Sequence, residues 1–80
     1  AYYSMGQALE KMNMPKESAG AYRGAINAAP MYVDAYFGLG MVLVKEKDVP
    51  GALKAFEKVV EIAPESEKAK SAKEYIKLIK

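Results

Sequence analysis

The sequence predicts an all-α fold made of helical hairpins, with two hairpin repeats followed by a fifth, capping helix. Two observations carry this prediction. Residues 35–64 hold two segments in which apolar side chains recur at spacings of three and four, separated by the non-apolar stretch 45–48. This spacing is typical of amphipathic helices. The chain also repeats itself at an offset of 34 residues, where Gly6 aligns with Gly40 and Pro30 with Pro64.

The first predicted hairpin occupies residues 1–32. Its first helix is expected from residue 1 to about residue 12, entered without a capping side chain. Residues 13–15 are the predicted turn, and Pro15 opens the second helix because proline is well tolerated in a first helical turn. That helix is expected to run to about Ala28, before Pro30 closes the repeat.

The second predicted hairpin occupies residues 33–66. Asp34 lies in the first turn of the third helix, where a negative charge suits the helix dipole. The fourth helix is expected from about Val49 to Ile62, and Pro64 prevents it from continuing.

The last predicted helix, residues 67–80, differs from the repeats and covers the apolar face that the second hairpin would otherwise expose. Ser66 is its expected N-cap. One stripe of the helix is apolar, while lysines keep the other side polar; the stripe consists of Ala69, Ala72, Ile76 and Ile79. We therefore expect residues 1–80 to form one domain. Because the chain lacks a starting Met and begins inside the pattern, we interpret it as a fragment or a processed chain.

The pattern of the second repeat is Tyr36, Leu39, Gly40, Leu43, Ala52, Phe56, Val59 and Pro64. The first copy reads Tyr2, Met5, Gly6, Leu9, Ser18, Tyr22, Ala25 and Pro30. Units of 34 residues with a helix, a turn, a helix and these residue types are typical of tetratricopeptide repeats. The chain resembles that family across nearly all of residues 1–64, which implies an α-solenoid fold.

Four positions depart from the family pattern. Met5 replaces a Leu, Ser18 replaces a small apolar residue, and Asn13 and Lys47 stand where the turn usually has Gly. None of these changes removes a packing role, so the fold prediction is unaffected.

Composition limits the class of protein. The chain has 80 residues, 51% of them apolar and 28% charged, as in ordinary soluble domains. It contains no apolar run near the roughly 20 residues that a membrane span requires, so no membrane insertion is expected. With no Cys there is no disulfide framework; the compartment stays open, with a cytoplasmic location preferred. A net charge of +2 is too small to indicate nucleic acid.

The residue types also argue against an enzyme. The chain has no His and no Cys, which excludes the usual zinc sites and nucleophile–histidine systems. Its carboxylates lie mostly on predicted polar faces beside lysines, a pattern typical of solvated helix surfaces. No strand is predicted, so no strand-to-helix phosphate loop is expected. We predict a non-catalytic protein without a metal or cofactor.

The family resemblance implies a binding groove. In tetratricopeptide proteins the first helix of each hairpin lines a concave surface that holds an extended peptide or a helix. Carried over by position, the candidate binding residues are Tyr3, Gln7, Phe37, Met41, Val44, Tyr75 and Leu78. The implied lining is completed by Glu10, Asp34, Lys68 and Ser71.

One known variant of the family grips a C-terminal carboxylate with Lys, Asn and Arg side chains. The matching positions in this chain are Tyr3, Gln7, Gly38, Lys68 and Ala72. Only the lysine agrees, so we do not expect a carboxylate clamp. The centre of the groove is instead expected to be apolar. Such a stripe is either core or a contact surface, and Met suits an adaptable contact surface.

Three functions are compatible with these features of the sequence. The favoured one is a protein-interaction module that takes an apolar or amphipathic peptide, or a partner helix, in the groove. The second is a structural module that self-associates or ends a longer solenoid, since two repeats are few. Gly20 and Gly24 project to the outer side of the second helix; the preferred interpretation is that these surface positions simply tolerate glycine, and the alternative is a smooth face on which another helix could dock. The third, nucleic-acid binding, is disfavoured because Glu10 and Asp34 stand where phosphates would need cations.

Overall fold

A computed structural model describes residues 2–80, and this part of the chain folds into five α-helices without a strand. Ala1, where the first helix was expected to begin, lies outside the described residues. The helices are α1 (Tyr2–Lys11), α2 (Pro15–Ala28), α3 (Val33–Lys45), α4 (Val49–Ile62) and α5 (Glu67–Ile79). The prediction of an all-α helical-repeat fold with two hairpins and a capping helix is confirmed.

Helices α1 and α2 form the first hairpin, α3 and α4 the second, and α5 packs against α4. Helix α3 also packs against α2, which joins the two hairpins, and it contacts both α1 and α5 along one side of the molecule. Helices α1, α3 and α5 therefore form one layer, and α2 and α4 form the other. The core between the layers contains Ala19, Tyr22, Ala25, Ala35, Leu39, Val42, Leu43, Ala52, Ala55, Phe56, Val59, Ala69 and Ala72.

The two hairpin turns have the same geometry. Asn13 and Lys47, the positions where the family pattern has Gly, adopt left-handed backbone angles, with φ of 59° and 63°. In each turn the following residue donates its backbone N–H to a carbonyl in the last turn of the preceding helix: Met14 to Leu9 at 3.0 Å, and Asp48 to Leu43 at 2.8 Å. This bonding satisfies helix-end carbonyls in the manner of a Schellman motif.

Two of the helices begin with a capping side chain. Asp48 accepts a hydrogen bond from the backbone N–H of Gly51 at 3.1 Å, and Ser66 accepts one from Ala69 at 3.0 Å. Ser66 is thus the N-cap that the sequence indicated, and such a cap stabilises a helix by about 1 kcal/mol.

In each hairpin, the two helices pack closely where a glycine of the first faces an aromatic ring of the second. A Cβ atom on Gly6 would lie 2.8 Å from the ring of Tyr22, and one on Gly40 would lie 2.7 Å from the ring of Phe56. These distances are too short for carbon atoms in contact, so both positions require glycine for close helix packing.

The interpretation of Gly24 as part of a smooth outer face is wrong. A Cβ atom on Gly24 would lie 2.8 Å from the ring of Tyr2, so the space beside this glycine is already filled by a side chain of the first hairpin. Only Gly20 has open space around it.

Candidate functional site

A hollow of about 430 Å³ opens on the side of the molecule formed by α1, α3 and the start of α5. Tyr3 and Gln7 of α1 lie on one wall, while Phe37 and Met41 of α3 lie on the other. Helices α1 and α3 run in the same direction, since Tyr3 contacts Tyr32 at the start of α3, with ring centroids 5.1 Å apart, and Glu10 pairs with Lys45 where both helices end. Helix α5 begins beside the start of α3, where Lys68 pairs with Asp34. The hollow is therefore an open groove between parallel helices.

The floor of the groove is supplied from the other layer by Tyr22 of α2. Its ring passes between α1 and α3, and a Cβ atom on Gly38 would lie only 2.6 Å from it. A larger residue at position 38 would fill the space between α1 and α3 that the Tyr22 ring occupies. The absence of a side chain at Gly38 is thus what lets the Tyr22 hydroxyl reach the groove.

Glu10 is held by two donors at the end of the groove where α1 and α3 finish. The Tyr22 hydroxyl donates to Glu10 Oε1 at 2.9 Å, and Lys45 Nζ lies 3.4 Å from Glu10 Oε2. Because the phenol is the donor, this hydrogen bond favours the protonated, neutral form of Tyr22. Each oxygen of the Glu10 carboxylate thus has one partner.

A second ion pair lies at the opposite end, where α3 and α5 begin. Lys68 Nζ is 3.7 Å from Asp34 Oδ1, and the same ammonium group stands 5.0 Å from the centre of the Phe37 ring. Exposed pairs of this kind add little stability. Their effect on the site is instead to place charges at both ends of the groove, around an apolar middle.

The groove perturbs two phenols. Burial is the main cause that raises the pKa of Tyr22 far above its ordinary value, and the hydrogen bond to Glu10 adds to this effect. The pKa of Tyr3 is also raised, first by burial and then by the nearby charges of Asp34 and Glu10. Both tyrosines therefore keep their hydroxyl hydrogens; that of Tyr22 is donated to Glu10, and that of Tyr3 can serve as a donor.

Four of the seven sequence-predicted site residues meet in this groove: Tyr3, Gln7, Phe37 and Met41. Gln7 Nε2 donates to the Tyr3 hydroxyl at 3.2 Å, which links neighbouring turns of α1. Phe37 also packs edge-on against the buried Phe56 ring, with centroids 5.7 Å apart. It therefore serves the core and the groove together.

The other three, Val44, Tyr75 and Leu78, do not line the groove. Val44 is half-buried against the core. Tyr75 contacts Phe37 at a centroid distance of 6.0 Å and stacks on Phe56 at 5.2 Å. It also lines a separate, shallower hollow with Leu78, Ser71 and Glu74 on α5. Phe37 and Met41 thus line one depression, Tyr75 and Leu78 line another, and Val44 lines neither.

Sequence reasoning missed three groove-lining side chains, Lys11, Tyr22 and Lys45. Lys11 and Lys45 are an identical pair at the repeat offset, and this identity was the available signal for a shared place in the layer. Tyr22 gave no such signal, because an aromatic residue on the apolar face of a helix reads as core.

Among residues 2–80, no helix has the length and apolar character needed to cross a bilayer. This finding agrees with the absence of a long apolar run in the sequence.

Comparison with known proteins identifies the family. A search of the curated proteins finds no match to this chain. A family model described as a tetratricopeptide repeat matches residues 3–67, which is most of the chain. The matched segment contains both hairpins, the two left-handed turns and the two glycine–aromatic contacts described above. The chain belongs to the tetratricopeptide repeat family, whose members generally serve as protein–protein interaction modules.

Proposed function

We propose that this protein is a non-catalytic interaction module that binds an apolar or amphipathic peptide, or a partner helix, in the groove between α1 and α3. The observation that carries the proposal is the convergence of Tyr3, Gln7, Phe37 and Met41 on one hollow. These residues combine aromatic surface with a flexible thioether and a side-chain amide. Binding sites are typically concave and largely apolar with a few polar groups that orient the ligand.

The middle of the groove is suited to an apolar ligand side chain. Phe37 is held in place by Phe56 and Tyr75, so its ring is a rigid contact surface. Rigid aromatic residues near the centre of an interface usually carry much of the binding energy. Met41, one turn further along α3, supplies an adaptable wall beside this ring.

Polar groups on the wall and at the ends of the groove are suited to orienting a ligand backbone. On the α1 wall Gln7 offers an amide oxygen, and at the ends the Lys45 and Lys68 ammonium groups each have donors beyond those used by Glu10 and Asp34. A peptide lying along the groove therefore meets donors at both ends and apolar surface between them. This arrangement is the basis for preferring a peptide or helix to a small metabolite.

The test begins with a displayed library of random peptides, screened against the protein to obtain a binder. The binder is then titrated into protein carrying ¹³C-labelled Met methyl groups. We expect the Met41 methyl resonance to shift, since Met41 lines the groove, while that of the exposed Met31 stays unchanged. A binder that leaves Met41 unchanged would argue against the groove as the site.

Two variants separate binding from folding. Gln7→Ala removes an exposed groove side chain, and we expect unchanged thermal stability with affinity reduced about three- to tenfold. Phe37→Ala is expected to weaken binding more, but also to lower stability, because Phe37 packs on Phe56. Unchanged affinity in both variants would refute the proposed site, while loss only in Phe37→Ala would indicate an indirect effect through the core.

A further inference from the structure

A second, smaller hollow of about 230 Å³ lies at the end of the first hairpin where α1 begins and α2 ends. Three tyrosines line it, Tyr2, Tyr3 and Tyr32, together with the small residues Ala25 and Ala28. We call this hollow the tyrosine pocket. Within residues 2–80, Tyr3 is the one residue that lines both this pocket and the groove, so the pocket is a separate site beside the groove.

The tyrosine pocket is not a consequence of the repeat pattern alone. At the repeat offset Ala28 corresponds to Ile62, which is larger, and Tyr32 corresponds to Ser66, which is not aromatic. The first hairpin therefore has a smaller side chain and one more aromatic residue at this place than the second hairpin. Both differences favour a ligand site at the end of the first hairpin only.

The tyrosines of the pocket are held by contacts within the protein. The Tyr2 ring lies against Gly24, where a Cβ atom would be only 2.8 Å from it. The rings of Tyr3 and Tyr32 contact each other, with centroids 5.1 Å apart and an angle of 40° between their planes. Because these rings are already positioned, a ligand would lose little free energy in ordering them.

The charges around the pocket favour a cationic ligand. The face of a tyrosine ring is electrostatically negative and attracts ammonium and guanidinium groups. In the part of the chain that the structure describes, no Lys or Arg lines the pocket, and α2 has no basic residue in its last turn. Burial raises the pKa of Tyr3, and the negative charges of Asp34 and Glu10 raise it further.

The helix ends at this place do not reverse that preference. Helices α1 and α3 begin here with partial positive charge, whereas α2 ends here with partial negative charge. Asp34 in the first turn of α3 adds a full negative charge. Because these contributions oppose one another, the aromatic faces decide the sign of the ligand.

The end of α2 also offers hydrogen-bond acceptors. Pro30 has no N–H to donate to Ile26, and among residues 2–80 no backbone N–H bonds to the carbonyls of Ile26, Asn27 or Ala28. Ala28 lines the tyrosine pocket, so this end of α2 lies beside a bound ligand. A guanidinium group stacks flat on aromatic rings and carries five N–H donors for such acceptors. A quaternary ammonium ion has no donors.

We infer that the tyrosine pocket binds the guanidinium group of an arginine side chain from a partner protein. The volume of about 230 Å³ is below the range of about 300–1,000 Å³ that is typical of sites enclosing a whole small molecule. A side-chain group therefore suits the pocket better than a complete metabolite. The inference does not rest on what the groove binds, since the two sites share only Tyr3 among the described residues.

The test uses N-acetyl-arginine methylamide, titrated into protein that carries ¹³C-labelled Ala methyl groups. We expect saturable shifts of the Ala25 and Ala28 methyl resonances with a dissociation constant of about 1–10 mM, while the buried Ala55 of the second hairpin stays unchanged. The matched control is N-acetyl-citrulline methylamide, which has nearly the same shape without the charge. It should bind at least about fivefold more weakly. The blocked lysine analogue should bind at least about threefold more weakly, because an ammonium group does not stack.

Variants of the protein locate the bound arginine. Tyr2, at 50% exposure, supplies a ring, so Tyr2→Leu should weaken binding at least about fivefold while Tyr2→Phe, which keeps the ring, should stay within about twofold of the parent chain. Ala28→Ile introduces the residue type of position 62 and should abolish the shifts. Ala28 is exposed, so this variant should keep its helical circular dichroism and melting temperature. Ala8→Ile, at an exposed alanine outside the pocket, is the matched control and should bind normally.

Five results would overturn the inference. Equal binding of the arginine and citrulline probes would show that charge plays no part. Equal or stronger shifts with tetramethylammonium chloride would assign the pocket to a cation without donors. Much tighter binding of free L-arginine than of the blocked form would make a metabolite the ligand. Unchanged binding in Ala28→Ile would place the probe elsewhere. The absence of any alanine shift at about 50 mM probe would show that the pocket does not bind a guanidinium group.

Discussion

The two hairpins follow one pattern but fill their cores with different chemistry. Tyr22 and Ser18 in the first hairpin correspond to Phe56 and Ala52 in the second. Both hydroxyls of the first hairpin are used: Ser18 donates to the Gly6 carbonyl at 2.7 Å, and Tyr22 donates to Glu10 at 2.9 Å. The first hairpin is therefore locked by directed bonds, whereas the second relies on apolar packing at the same positions.

This difference reaches the groove. In the first hairpin, the Tyr22 hydroxyl fixes the Glu10 carboxylate at the groove end. In the second, Phe56 instead supports the Phe37 and Tyr75 rings. One layer of helices thus positions the groove-lining residues of the other by two means, a hydrogen bond on one side and ring packing on the other. A buried hydroxyl is costly unless it forms a hydrogen bond. The first hairpin therefore depends on correct hydrogen-bond geometry in its core, whereas the second does not.

The largest effects are expected where both hairpins share a constraint, the glycine that faces the aromatic ring. Gly6→Leu and Gly40→Leu should each lower the free energy of unfolding by about 1–3 kcal/mol or more, because the new side chain overlaps Tyr22 or Phe56. Urea denaturation followed by helical circular dichroism measures both. An unchanged midpoint in either variant would contradict the close packing of that hairpin.

Gly20→Ala is the control for these glycines. This residue lies within α2, is exposed, and has open space around it. Alanine is the better helix former by about 1 kcal/mol, so this variant should be stabilised rather than destabilised. If Gly20→Ala raises the free energy of unfolding while Gly6→Leu lowers it, the effect of helix propensity is separated from the effect of packing.

The fold was predictable from sequence because its signals are periodic. The 34-residue repeat, the prolines at helix starts and ends, and the alternating apolar faces predicted helices that the structure confirms, with bounds within one or two residues. The family pattern even marked Asn13 and Lys47 as the turn positions, where the structure has left-handed backbone angles. Helix bounds and turn positions depend mainly on residues close together in the sequence, which is why they could be predicted.

The site was less predictable, because it depends on contacts between residues distant in sequence. Carrying positions over from the family placed Tyr75 and Leu78 opposite Phe37, but ring stacking on Phe56 holds Tyr75 against the core. The role of Tyr22 was invisible for a similar reason. Its position follows from Gly38, 16 residues away, and no periodic pattern relates an aromatic residue on one helix to a missing side chain on another.

Exchanging the residue types at positions 18 and 52 tests whether the Ser18 hydrogen bond contributes to the stability of the first hairpin. Ser18→Ala makes this position like the second hairpin and removes the bond to Gly6. We expect a loss of about 1 kcal/mol in the free energy of unfolding. The reverse change, Ala52→Ser, should be close to neutral if the new hydroxyl reaches the Gly40 carbonyl, and destabilising otherwise. A neutral Ser18→Ala variant in thermal denaturation would show that this hydroxyl contributes nothing beyond filling space.

The smallest expected effect concerns the aromatic exchange, Tyr22→Phe, which gives the first hairpin the residue type of the second. Near neutral pH it removes one hydrogen bond to a partly hydrated carboxylate, so we expect a cost of at most about 1 kcal/mol. Its distinctive effect lies at high pH. Folding raises the pKa of Tyr22, chiefly through burial and further through the bond to Glu10.

An unfolded tyrosine ionises near pH 10, whereas folded Tyr22 keeps its proton above that pH. The folded state then binds more protons than the unfolded state, so the free energy of unfolding falls as the pH rises beyond about 10 and is unaffected by this group below it. Tyr22→Phe removes this contribution. Urea denaturation at a series of pH values from about 8 to 12 should therefore show a shallower alkaline decline for the variant than for the parent chain. Parallel curves would mean that Tyr22 ionises as easily in the folded protein as in the unfolded one, and would contradict the effect attributed here to its burial beside the Glu10 carboxylate.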